Sequence, residues 1–164
     1  RAAAAHGVAN AGGLPLVFVP QALRQAAFED GYEQRIFLCG EAQLRVENWH
    51  DFFNALVWLA FPRAKAALNA RHYAELARMR DTAAANRGPA QDALTLFDEG
   101  GIVVACADAA LARLLREHAW RELFWERRAD VLARMRFYVF GHALYEKALR
   151  PYPGVTGQIG RAHV

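Results

Sequence analysis

Asn48-Trp49-His50-Asp51-Phe52-Phe53-Asn54-Ala55-Leu56-Val57-Trp58-Leu59-Ala60 is the stretch that decides the fold class. Asn48 is a residue type that caps helices by accepting from their first free N–H groups. Phe52, Phe53, Leu56, Val57, Leu59 and Ala60 follow with no glycine or proline between them. The reading is a helix apolar almost all round, which needs partners on most of its surface. The run from Phe52 to Phe61 is about half of the roughly 20 residues that cross a bilayer, and Asn54 interrupts it. No membrane segment is expected. Pro62 then opens a second helix, predicted to reach about Met79, because a first-turn proline lacks only an N–H that had no partner.

Downstream, Asp81 to Pro89 reads as a loop with an Asn86-Arg87-Gly88-Pro89 turn. Leu94–Phe97 and Ile102–Cys106 flank Asp98-Glu99-Gly100-Gly101, which predicts a β-hairpin. A helix from Pro89 to Phe97, stopped by Gly100, competes with it. Asp108 is placed to cap a helix reaching Ala119, and another covers Trp120 to Arg128. Arg134 to Phe140 alternates as a strand does, and His142 to Leu149 is helical between Gly141 and Pro151. Upstream, Leu14 to Val19 is extended, Gln21 to Phe28 has helical spacing, Tyr32 to Cys39 is a helix with Gly40 as its C-cap, and Leu44 to Val46 is a brief extended link. Residues 1–13, rich in Ala, Gly and Asn, are expected to be poorly ordered. The fold class is mainly α (α+β): a single globular domain over residues 14–157, of several packed helices with a small β-hairpin or short strands.

The composition supports a globule. Hydrophobic residues make up 54% of 164, enough for a core that folds unaided. Cys39 and Cys106 both lie in apolar surroundings and read as small core hydrophobes of a reducing compartment, so a cytoplasmic location is expected. The net charge of +3 comes from 20 basic residues of which only Lys65 and Lys147 are lysine. That excess of arginine, with alanine, follows a GC-rich codon bias and argues little for an anionic partner. Trp120, Trp125, Arg121, Arg127 and Arg128 mix aromatic and basic residues, but Glu117, Glu122, Glu126 and Asp130 are interleaved with them. That is a salt-bridged helix face, and it argues against nucleic acid.

Both ends read as those of a fragment. The chain opens on Arg1, so an upstream segment is expected. Residues 158–164 back-translate to CAG ATC GGA AGA GCA CAC GTC, which contains the opening of a common sequencing adapter, and they are expected to be a non-native tail.

Three segments carry a family likeness. They are His50 through Trp58 with Phe61-Pro62 and Lys65 through Asn69; Arg87-Gly88-Pro89 with Asp92 through Glu99; and Phe140-Gly141-His142-Ala143-Leu144 with Glu146. In order and wording they resemble the bacterial domain-of-unknown-function family 3025, over about Tyr32 to Gly157. The resemblance implies a bacterial origin and one domain. It brings with it no activity, cofactor or catalytic residue.

The chemistry must therefore be sought in the side chains. His50 and Asn54 share a helix face with Asp51 beside them, and Trp58 extends the stripe by a turn. Polar groups on so apolar a helix must be hydrogen-bonded, ligated or turned to a cleft; capping of the first turn is the plain alternative. His142 and Glu146, also four apart, can form a histidine–carboxylate acid–base pair or share a metal ion, where the plain alternative is an exposed pair. Asp98 and Glu99 are ordinary turn residues, yet a carboxylate there could complete a divalent metal site with His50 and His142. Arg87 could hold a phosphate or carboxylate. The candidate catalytic residues are His50, Asp51, His142 and Glu146; the candidate ligand-binding residues are Asn54, Trp58 and Arg87; the candidate metal ligands are His50, Asp98 and His142. Glycine-rich phosphate loops and paired cysteines are absent, and the chain has no serine to act as nucleophile.

The resulting expectation is a metal-dependent or acid–base hydrolase-like site at helix starts, which requires His50 and His142 to meet. A small-molecule or protein binding module would instead show an apolar cleft walled by Trp58 and Phe61. A purely structural domain would lock His50, Asn54 and Glu146 onto backbone groups.

Overall fold

A computed structural model describes residues 3–21, 27–82 and 88–159. The helix expected over Gln21 to Phe28 and the turn at Asn86-Arg87 fall largely or wholly outside them, and so does the Arg87 assignment.

The chain begins with a three-stranded sheet in the order β1 (Ala3–Ala9), β2 (Pro15–Pro20), β3 (Glu41–Leu44). β1 and β2 pair antiparallel, while β2 and β3 pair parallel with Val17 opposite Glu41. The poorly ordered start expected from composition is thus a strand up to Ala9. What holds the following turn is Asn10, which is buried. Its side-chain oxygen accepts from the N–H groups of Gly12 and Leu14, and its amide donates to the carbonyls of Ile36 and Phe37. One side chain therefore satisfies both the turn and the end of a helix, which the Ala- and Gly-rich wording of the segment hides.

A parallel pair needs a crossover, and α1 (Tyr32–Cys39) supplies part of it, after a single 3-10 turn at Phe28–Asp30. Gly40 ends α1 at φ 71°, and a Cβ there would strike the carbonyl oxygen of Pro15. Glycine is needed on both counts.

α2 (Trp49–Ala60) starts as expected, with the Asn48 side chain accepting from the Asp51 N–H at 2.9 Å. α3 (Pro62–Asp81) follows directly. Leu16, Ile36, Ala42, Trp58 and Ala66 close the first core, where sheet, α1, α2 and α3 meet.

At α4 (Pro89–Gly100) the hairpin is overturned in favour of the competing helix. Pro89 sits at the first helical position, Asp92 lies in the first turn where a carboxylate suits the helix dipole, and Gly101 leaves by packing under the Phe97 ring. The consequence is that Gln91 and Asp98 come onto one helix face and are buried, where a turn would have put Asp98 in water.

β4 (Ile102–Cys106) pairs antiparallel with β5 (Met135–Val139), and between them run α5 (Ala109–Arg116), a π-helical turn at Glu122–Glu126 and α6 (Arg128–Arg134). Asp108 caps α5 by accepting from Ala110 and Leu111 N–H. Leu111, Leu114, Leu115, Leu123, Val131 and Met135 form this second core. Phe140, stacked on Phe97 at 5.0 Å and against Phe61 at 5.6 Å, lies between α2–α3, α4 and β5. α7 (His142–Ala148) then packs along α2 and α4, and Gln158 bridges to Gly101. Among the described residues the fold is mainly helical with two small sheets. No helix among the described residues is long and apolar enough to cross a membrane.

Candidate functional site

His50 lies in the first turn of α2 and His142 opens α7. The side-by-side packing of those helices brings the two imidazoles together: Nε2 faces Nε2 at 2.8 Å, with the ring planes 77° apart. Gly141 makes this possible by close approach. Its α-carbon lies so near Glu99 and Gly100 that a Cβ would overlap their backbone, which presses the start of α7 onto the end of α4.

Each ring has a carboxylate behind its other nitrogen. Glu146 Oε2 is 3.0 Å from His50 Nδ1, and Asp98 Oδ2 is 3.8 Å from His142 Nδ1. Asp98 in turn holds Lys65 Nζ at 2.5 Å. The result is a row, Glu146–His50–His142–Asp98–Lys65, running from a half-exposed carboxyl to a buried ammonium. It is hydrogen-bonded at every step but the His142–Asp98 one, where 3.8 Å leaves the buried Nδ1 without a hydrogen-bond partner among the described residues. The i,i+4 pair expected between His142 and Glu146 does not form, since Glu146 reaches across to His50 instead.

Burial rises steeply along the chain. Side-chain exposure is 46% at Glu146 and 31% at His50, but 4% at both His142 and Lys65. Burial drops the His142 pKa to about 4, with Lys65 and His50 pushing the same way and Asp98 opposing. His142 is therefore neutral at pH 7 and carries one ring proton. A bare Nδ1 buried opposite the Asp98 carboxylate would be unfavourable, so the proton belongs on Nδ1, leaving Nε2 to accept from His50. His50 must then donate from Nε2 to His142. Its 3.0 Å contact with Glu146 requires a second proton there, on Nδ1 or on the carboxyl. The geometry is that of a proton-loaded pair.

The remaining candidates are distributed around this chain. Asp51 belongs to another set: its oxygens accept from the N–H, Nε and Nη2 of Arg45. Burial raises its pKa, but those bonds outweigh it and leave the carboxyl below its ordinary value. Asn54 donates to the Tyr32 hydroxyl at 2.9 Å. Burial, followed by Glu33, pushes the Tyr32 pKa well up, so that hydroxyl stays protonated. His50, Asp51, Asn54 and Tyr32, with Arg45 and Gln43, line an open polar hollow of about 330 Å³. Trp58 is corrected as a cleft wall. It is 1% exposed and lies beneath Lys65, whose ammonium is 5.5 Å from the ring centre.

The expected metal set of His50, Asp98 and His142 is split by the ring of His142: two Nε2 atoms face each other, and Asp98 stands behind Nδ1. Among the described residues no group of three or more His, Cys, Asp or Glu side chains converges on one point. The residues as arranged offer two nitrogen donors 2.8 Å apart, one short of the usual three, so they do not fit a three-ligand ion.

Several polar residues of the interior escape a reading of the sequence by motif. Lys65, Asn69 and His72 stand at i, i+4 and i+7 of α3 and all face inward. Asn69 donates to Glu33, whose pKa burial raises, and His72 meets Gln91 at 2.9 Å. The available signal is the polar stripe itself, on a helix otherwise rich in alanine and holding one of two lysines in the chain.

No curated protein and no solved structure matches the chain. The family described as protein of unknown function (DUF3025) matches residues 16–164. That match covers most of the chain, and the protein belongs to the DUF3025 family.

Proposed function

We propose that the protein is an acid–base enzyme of hydrolytic type, with His50 as the proton-transferring residue for a small polar substrate in the 330 Å³ hollow. The observation that carries this reading is the Nε2–Nε2 contact of 2.8 Å between a half-buried and a buried histidine, each backed by a carboxylate. His142, held neutral by burial, fixes the proton of His50 on Nε2 and so leaves Nδ1 to work. When Glu146 swings away as the carboxylic acid, taking the proton it shares with Nδ1, that nitrogen is left as a free base. Water then gives its proton to Nδ1 as its oxygen bonds to the electrophilic centre of the substrate. The bond from that centre to the leaving group breaks, the leaving group takes the proton from Nδ1, and the Glu146 carboxyl returns to donate to the bare nitrogen. Asp98 and Lys65 are positioning residues that keep His142 in its tautomer.

The test is turnover of a panel of small esters, amides and phosphate esters by the wild type and by His50→Gln. A general base contributes on the order of 10²–10⁴-fold, so H50Q should lose activity on that scale wherever the wild type is active. Absence of wild-type turnover across the panel, or retention of the rate in H50Q, overturns the proposal.

A further inference from the structure

The outer face of α2 carries a second signal, independent of the histidines. The exposed residues of this helix are Trp49, Phe52, Leu56, Leu59 and Ala60, and none is polar. The polar residues His50, Asp51 and Asn54 sit on its inner and lateral sides, the reverse of a surface helix. Trp49, Phe52, Leu56 and Leu59 are 58%, 48%, 42% and 47% exposed. Their 3-4-3 spacing is that of a helix–helix seam. Tyr145, stacked with Phe53 through its ring at 5.8 Å, and Leu149 extend the patch onto α7.

We infer that this face is covered by the same face of a second copy of the chain, with the two α2 helices antiparallel about a twofold axis at Asn54. The stripe is self-complementary about that point. Trp49 and Leu59 stand five residues to either side of Asn54, and Phe52 and Leu56 stand two to either side. Antiparallel packing therefore sets Trp49 against Leu59 of the other copy and Phe52 against Leu56, a large ring opposite a smaller side chain at all four contacts. A closed isologous pair needs just such a patch. The six side chains leave roughly 80–100 Å² each uncovered, which is about 1,000–1,200 Å² for the pair, the lower boundary of a specific interface. A membrane surface is the less suited cover, because such helices carry lysine and arginine on their flanks and α2 contains neither.

Sedimentation equilibrium of the whole chain tests this. The wild type should shift with concentration from 18.3 kDa to twice that mass, with a midpoint in the micromolar range. Phe52→Glu and Leu56→Lys should each stay monomeric, since each buries a charge against an apolar side chain at two places. An equimolar mixture of the two variants should regain the dimer mass. In the mixed pair the introduced carboxylate of one copy faces the introduced ammonium of the other, while the remaining Phe52–Leu56 contact is native. Both substitutions fall on exposed positions, and unchanged circular dichroism verifies folding. A wild type that stays at 18.3 kDa up to its solubility limit overturns the inference. So does a dimer that neither variant weakens, a mixture that stays monomeric, or a monomer that pellets with phosphatidylcholine vesicles.

Discussion

Lys65 Nζ lies 2.5 Å from Asp98 Oδ1, and both residues are buried. Removing one partner from such a pair strands the second in a medium that solvates it poorly. Lys65→Met should therefore cost about 3–5 kcal/mol of unfolding free energy, the usual penalty for an orphaned buried charge. Lys65→Met with Asp98→Asn should be more stable than Lys65→Met alone, since the second change removes the stranded charge. Urea unfolding midpoints at constant slope measure both. A double variant no better than the single would mean that Asp98 is held chiefly by something other than Lys65.

His142 makes the fold acid-sensitive in a defined window. Its pKa is about 4 in the folded protein, because burial disfavours the charged ring, against about 6.5 in an unfolded chain. The unfolded state thus binds the proton first as the pH drops. Stability is full above about pH 6.5, declines between there and about 4, and levels off below, for a loss of about 3 kcal/mol at this residue. His142→Gln cannot take up a proton. The difference in unfolding free energy between wild type and variant should narrow by that amount from about pH 7 to about pH 4, after allowance for the other groups that both share. A difference independent of pH would place the protonation elsewhere.

What the sequence disclosed and what it hid follow one rule. Signals confined to a single element are readable: Asn48 and Asp108 as caps, Gly40 as a helix stop, Pro62 at a helix start, and the polar stripe of His50, Asp51 and Asn54. Assignments that depend on a partner from elsewhere in the chain go astray. Glu146 sits one turn from His142 yet bonds to His50, because which neighbour a side chain meets is set by the packing of α7 on α2. Asp98 reads as a turn residue because two glycines follow shortly after it, and the helix from Pro89 is equally written there. Trp58 is placed under Lys65 by the contact of α2 with α3, which no local spacing records. The strand at the start of the chain is mostly alanine with one glycine, residues of weak strand propensity, and its place comes from pairing with β2.

Gly141 should be intolerant of a side chain for a reason tied to the site. Its φ of −64° is ordinary for any residue, so backbone strain is no obstacle. The obstacle is the overlap of a Cβ with the Glu99 carbonyl and Gly100. Gly141→Ala should push the start of α7 off α4, widen the His142–Asp98 separation beyond 3.8 Å, and cost about 1–3 kcal/mol, as overpacking does. The imidazole nitrogen resonances of His142 report the change: loss of a single fixed Nδ1–H tautomer in the variant supports the account, and an unaltered spectrum contradicts it.

Asp51 lines the hollow and Glu146 contacts His50 at 3.0 Å, and substitution should separate their roles. Asp51 is held by three donors of Arg45 and its pKa is below the ordinary value, so it offers no proton near neutral pH and no free lone pair aimed at His50. Arg45 itself is 53% exposed, which limits what the pair contributes through charge to about 1 kcal/mol. Asp51→Asn should accordingly lower stability by about that much and leave the His50 Nδ1 contact with Glu146 in place. Glu146→Gln removes the acceptor behind His50 Nδ1, with little effect on stability because the contact is exposed. It should move the His50 Nδ1 resonance, since the 3.0 Å contact of that nitrogen with a carboxyl oxygen is lost. Nitrogen-15 spectra of the two variants distinguish them. If Asp51→Asn moves the His50 Nδ1 resonance as far as Glu146→Gln does, the separation of the two carboxyl groups into a structural and a proton-handling group fails.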